Sequence, residues 1–132
     1  NGAMAVGGSA PITLSGPVGG AGSLVKNGAS DLTLAAANNF GGGVALNAGR
    51  LVVGTNTSLG TGVLTAAAGT TLDASAPVSL ANDVTLLGNL TLGGSQPMTL
   101  SGGLSGAGGI VKTGAADATL SGANSFGGAV SV

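Results

Sequence analysis

A three-residue phrase of apolar residue, threonine, apolar residue recurs along the chain: ITL at 12–14, LTL at 32–34, VTL at 84–86, LTL at 90–92, MTL at 98–100 and, with alanine leading, ATL at 118–120. Alternation with period two is the signature of a strand buried on one side. It predicts short strands whose Leu14, Leu34, Leu86, Leu92, Leu100 and Leu120 point inward, together with Leu46, into one continuous core. The six threonines face outward, where a β-branched side chain favours extended backbone and its hydroxyl meets water. Between the strands lie breaker clusters, among them Ser15-Gly16-Pro17, Asn27-Gly28, Gly41 to Gly43, Asn47-Ala48-Gly49 and Gly60 to Gly62. Gly and Asn accept positive φ at little cost, so these clusters predict corners. No stretch has helical periodicity, and the alanine runs at 35–37 and 66–68 are too short to nucleate a helix. The chain is therefore expected to be all-β.

The pattern repeats on a larger scale. Residues 12–46, ITLSGPVGGAGSLVKNGASDLTLAAANNFGGGVAL, align without a gap to residues 98–132, MTLSGGLSGAGGIVKTGAADATLSGANSFGGAVSV, at an offset of 86, with 20 of 35 positions identical. The identities include Lys26/Lys112, Asp31/Asp117, Asn38/Asn124 and Phe40/Phe126. A repeat of this kind predicts one supersecondary unit stacked along an axis. Dividing 86 by four gives a circuit of about 21.5 residues, enough for three short strands and three turns. On that count the copies lie four rungs apart on the same faces, and about six rungs make a rod about 30 Å long. Residues 1–132 then form one β-solenoid unit, with linking rungs at 47–97 and a weakly patterned stretch at 1–10 that is read as a frayed end or half a rung.

Composition narrows this further. Glycine and proline make up 28 and 4 of the 132 residues, close to low-complexity composition, yet only 7 residues are charged and 43% are hydrophobic, which opposes disorder. With no Trp, no Tyr and two Phe, a thick core has little to fill it, whereas a thin core of Leu, Val, Ile and Ala suits a coiled solenoid. Apolar runs are interrupted well short of the ~18 residues of a membrane-spanning helix, and two Phe make no aromatic girdle for a barrel. The opening NGAMAVGGSA has neither a basic nor an apolar leader region, so an interior segment is expected, continuing past Val132 with an Asn/Asp-Ala-Gly turn and a Leu-x-Val strand. Cut rungs expose unpaired backbone, from which end-to-end self-association follows.

Charge and side-chain inventory exclude much chemistry. The net charge of −1 comes from scattered Lys26, Arg50, Lys112, Asp31, Asp73, Asp83 and Asp117, leaving no basic patch for nucleic acid. The absence of Cys and His removes thiolate sites, the commonest metal ligand and the commonest general base. GAGGIVKT at 106–113 ends in Lys-Thr like a phosphate loop, but Val111 stands where Gly is needed. Gly20-Ala21-Gly22 is followed by Val25 where a dinucleotide fingerprint needs its third Gly, and Gly19 to Gly22 lacks the Asp of a calcium roll. A β-helical glycosidase or lyase needs paired carboxylates and aromatic platforms. Here only Lys26/Asp31 and Lys112/Asp117 pair at fixed spacing, and both are features of the repeat, read as solubilising corner residues. Asn38 and Asn124, with Phe40 and Phe126, are read as structural corners in which the amide bonds to backbone and the ring covers the core. Thr55-Asn56-Thr57 alone has the Thr-x-Thr form of an ice-binding row, and the sequons Asn56-Thr57-Ser58 and Asn89-Leu90-Thr91 are short enough to arise by chance. No catalytic, cofactor or metal site is assigned.

LSGAGGIVKTGAADATLSGANSFGGAVSV, together with its first copy and the Asn47 to Gly54 run that follows, resembles the passenger-associated repeat of Gram-negative autotransporters, LSGxGGLxKxGxGTLTLSGxNTYxGxTxVxxGxLxV. Gly106, Gly108, Lys112, Gly114, Thr119, Leu120, Ser121, Gly122, Asn124 and Gly128 fall in place together. Phe40 and Phe126 stand where the family has Tyr, and Asp117-Ala118 replaces Gly-Thr-Leu, which weakens one inward position. The resemblance implies a right-handed parallel β-helix exported to the outer membrane through a C-terminal barrel of the same chain, as a non-enzymatic stem aiding secretion and surface display. An adhesin face for host or neighbouring cells is the alternative it leaves open, and a carbohydrate-active enzyme the third.

Overall fold

The computed structural model describes residues 4–7 and 10–131. Among these the chain forms sixteen strands of two to five residues and no helix. Every pairing is parallel and joins one coil to the next, making a β-solenoid of about six turns with three faces. The first face stacks Met4–Val6, Leu24–Lys26, Val44–Leu46, Leu64–Ala66, Val84–Leu86 and Leu104–Gly106. The second stacks Ile12–Leu14, Asp31–Leu34, Arg50–Val53, Thr70–Ala74, Leu90–Leu92, Ile110–Lys112 and Val130–Ser131. The third is a sheet only in the later coils, at Val78–Leu80, Met98–Leu100 and Ala118–Leu120.

The circuit is 20 residues and not 21.5. Leu24 pairs with Val44, Val44 with Leu64, Leu64 with Val84 and Val84 with Leu104. Four such circuits leave six of the 86 residues over, which is the step from one face to the next. The two copies of the repeat therefore do not share faces. Leu24–Lys26 lies on the first face and its counterpart Ile110–Lys112 on the second; Asp31–Leu34 lies on the second and Ala118–Leu120 on the third. The expectation of four rungs on the same faces fails because it divided the offset evenly, whereas the period is set by the backbone ladder.

Local bonding travels with the phrase through this rotation. The Val18 N–H donates to Asn38 Oδ1 at 2.8 Å, and the corresponding Leu104 N–H to Asn124 Oδ1 at 3.2 Å. Gly42 N–H reaches Gly22 O at 2.9 Å, and Gly128 N–H reaches Gly108 O at 2.9 Å. A Cβ on Gly42 would lie 2.5 Å from Gly22 O, and one on Gly128 2.6 Å from Gly108 O, so stacked backbone forbids a side chain at either corner.

Inward positions stack into one core running the length of the coil. Leu34, Leu46, Leu86, Leu92 and Leu100 are buried as predicted, while Leu14 and Leu120, towards the two ends, are partly buried against the same cluster. Thr13, Thr33, Thr85, Thr91, Thr99 and Thr119 are all exposed or half-exposed. Within the stretch 1–10, expected as a frayed end or half a rung, Met4–Val6 pairs with Leu24–Lys26, while residues 1–3 and 8–9 lie outside the described residues.

Truncating Leu86, which is fully buried, to alanine is expected to lower stability by about 2–5 kcal/mol, against less than about 1 kcal/mol for Thr85→Ala on the outward side of the same strand. Urea unfolding of both variants measures this, and equal midpoint losses would contradict the assigned inward face.

Candidate functional site

Four polar arrangements are candidates for function, and three of them hold the coil together. The first is Lys26. Strand alternation turns it inward beside Leu24, and it is buried to 2% exposure. Its ammonium donates to the carbonyls of Asn27 and Gly28, each at 2.7 Å, and to Ala48 O in the next coil at 3.3 Å. The carbonyls converge because Gly28 turns the corner with φ +78°. Burial holds the Lys26 pKa below its ordinary 10.5, with the Asp31 charge opposing. Lys112 repeats the arrangement one face on, donating to Thr113 O and, at 3.3 Å, to Gly114 O. For Lys26 the expectation of a solubilising residue is thus overturned: three acceptors at the corner receive its charge inside.

Asn38 is the second. Val18 N–H donates to its Oδ1, and its Nδ2 donates to Ser58 O at 2.6 Å, so one buried amide bridges three successive coils on the third face, where no strand yet exists. Phe40 beside it is buried in the core and Phe126 is partly buried against it, as the structural reading of these corners has it.

The third arrangement was not foreseen. Asp73, 2% exposed, accepts from Arg50 Nη2 in the coil before, from Ser95 Oγ at 2.7 Å and Ser95 N–H at 3.3 Å in the coil after, and from the Ala74 N–H at 2.8 Å. Burial pushes its pKa up and is the largest single influence. The Ser95 hydroxyl, the Ala74 and Ser95 amides and the Arg50 charge outweigh it, leaving the carboxyl below its ordinary 3.8. The residues lie 23 and 22 apart, close to one circuit each, a spacing that carries meaning only once the circuit length is known.

The fourth is a cleft of about 300 Å³ on the third face, lined by Asn56, Thr57, Gly60, Thr61, Ala81 and Asn82. Asn82 occupies a register position held by Gly22, Gly42, Gly62, Gly102 and Gly122 in the other described coils. Its Nδ2 donates to Gly60 O at 3.1 Å and Gly62 O at 2.7 Å.

Among the described residues no three His, Cys, Asp or Glu are grouped to hold a metal ion. Asp31 and Asp117 lie on different faces and form no stacked pair with each other, and Val111 sits inside a strand, as the failed phosphate-loop spacing required. No helix among these residues is long and apolar enough to cross a membrane.

Because the folded Asp73 carboxyl titrates below its unfolded value, its contribution is complete above the ordinary carboxylate range and is lost as pH falls through the lower, folded value. Asp73→Asn is expected to reduce stability by about 2 kcal/mol at neutral pH, with the gap to the parent narrowing near pH ~2. Denaturation at the two pH values tests it; a gap unchanged by acid would remove the ionic role.

Comparison with known proteins adds one finding. No curated protein and no solved structure matches the chain. The family model described as passenger-associated-transport-repeat matches residues 24–53 and again residues 110–132. Both matches open on the strand that carries the capping lysine, Leu24–Lys26 and Ile110–Lys112, so the passenger-associated-transport-repeat model falls on both copies of the phrase that this chain repeats one face apart.

Proposed function

We propose that the chain is a stem segment of an autotransporter passenger, a non-enzymatic β-helical spacer that aids export across the Gram-negative outer membrane and displays the rest of the passenger at the cell surface. The observation that carries this reading is the use made of the repeat's distinctive side chains. Lys26 and Asn38 join one coil to the next, Asn124 makes the bond that corresponds to that of Asn38 with Val18, and Lys112 repeats the local bonds of Lys26 to its own corner.

The physics of export favours such a chain. With 7 charged residues in 132 and no cysteine, it threads a narrow channel without large desolvation penalties or premature cross-links. Its partner in that step is the C-terminal outer-membrane barrel of its own full-length chain. Once outside, each coil needs only its predecessor as a template, since every strand pairs with the strand one circuit away. Each buried Leu then contributes roughly 1.5–3 kcal/mol, which opposes return through the channel.

Deleting residues 98–132 from the exported parent chain is expected to lower the amount displayed on the cell surface several-fold, with unchanged activity per displayed molecule. Surface labelling beside an activity or cell-binding assay on the same cells reads both quantities. Full display with binding lost per molecule would instead make this segment an adhesive face.

A further inference from the structure

We propose that the third-face cleft between the Asn56–Thr61 corner and Ala81-Asn82 binds one neutral sugar residue. This stands apart from the stem reading, because none of the cleft residues lies in 98–132.

The cleft arises where the third face changes character. In the coil at 55–61 the chain crosses this face as a tight turn, with Ser58 N–H and Gly60 N–H bonded back to Thr55 and Thr57 carbonyls, whereas one circuit later it crosses as the strand Val78–Leu80. The step between turn and strand leaves the recess.

Its polar groups are oriented by the backbone. Because Asn82 Nδ2 donates to two carbonyls, the amide cannot be reversed without placing its oxygen against both, so Oδ1 faces away from them. That oxygen accepts no hydrogen bond among the described residues, although the side chain is 8% exposed. Asn56 is fixed in the opposite sense. Its Oδ1 accepts the Ser79 N–H at 2.8 Å, which leaves Nδ2 as a donor without a partner among the described residues. The hydroxyls of Thr57 and Thr61 complete the lining, each able to donate or accept.

This set selects a ligand class. Donors and acceptors are mixed and none of the lining residues is charged, so an ion entering the recess loses hydration without gaining a counter-charge. Asp83, the nearest acid in sequence, is turned to the next coil, where it accepts the Gly103 N–H at 2.9 Å. Adjacent hydroxyls on a sugar ring offer a donor and an acceptor side by side, as the paired amides require. At about 300 Å³ the recess lies at the lower end of small-molecule sites, which suits one ring rather than an oligosaccharide. Asn82 is also dispensable for the corner itself, since glycine serves at the same register position in five other described coils.

The test is an amide-resolved NMR titration of the intact chain with free glucose, galactose and N-acetylglucosamine, and with inorganic phosphate as the charged probe. Saturable shifts confined to 56–61 and 81–82 are expected with at least one sugar and none with phosphate. Thr61→Val, a same-sized change at an exposed position, should weaken that binding about tenfold while resonances elsewhere stay in place. Asn82→Gly, which restores the residue of the other coils, should abolish it. The proposal is overturned by the absence of saturable shifts with all three sugars, by equal affinity in folded Thr61→Val, or by phosphate binding at the same residues. If Asn82→Gly does not fold, Thr61→Val decides alone.

Discussion

Every strand among the described residues hydrogen-bonds to a strand one circuit away, and those inside a sheet do so on both sides; this ladder sets the terms for the rest. Because parallel neighbours stand in register about 4.8 Å apart, whatever occupies an inward position lies on whatever occupied it a circuit earlier. A column can therefore accept a substitution only if the residues above and below tolerate it. The column Leu32, Leu51, Leu72 and Leu92 shows how firmly register is kept: one spacing is 19 residues, the next 21, and the third 20, so a residue dropped at one corner is restored at the following one. The corners absorb length changes that the strands cannot.

Buried polar groups obey the same constraint. A polar side chain inside a stack finds its partners at its own corner and in the adjacent coils, and wherever it uses the latter it bridges coils. Lys26 reaches the Ala48 carbonyl, Asn38 joins Val18 to Ser58, and Asp73 gathers Arg50 and Ser95 from either side. Each compensates the desolvation of its own atoms and at the same time fixes the register locally. Asn38 does so where the third face has no strand to do it, and the face becomes a sheet only from Val78 onward.

The strands and their inward faces were legible in the sequence because alternation is a local property, readable from three residues at a time. ITL, LTL, VTL and MTL place their leucines inside, and the corners sit where Gly and Asn cluster. The repeat was equally plain. What the sequence concealed was the relation between the repeat and the coil. An offset of 86 gives no sign of how many circuits it contains, and the even division by four was wrong because the copies differ by a face as well as by height. Lys26 was misread for a related reason: its charge suggested solvent, while its place two residues after Leu24 on the same strand put it inside. Asp73 and Arg50 looked scattered because proximity in a solenoid is measured in circuits, and the circuit was not yet known.

The one-face displacement of the copies also decides what the surface of a longer assembly of this kind presents. Successive copies at this offset would carry the lysine-capped corner from one edge of the rod to the next, returning to the first edge only with the fourth copy. A ridge drawn through those corners would run as the thread of a screw rather than as a keel. Such a rod has no front: whatever the phrase encodes would be offered in every direction in turn, and a neighbour approaching from any side would meet the same succession of corners at a different height.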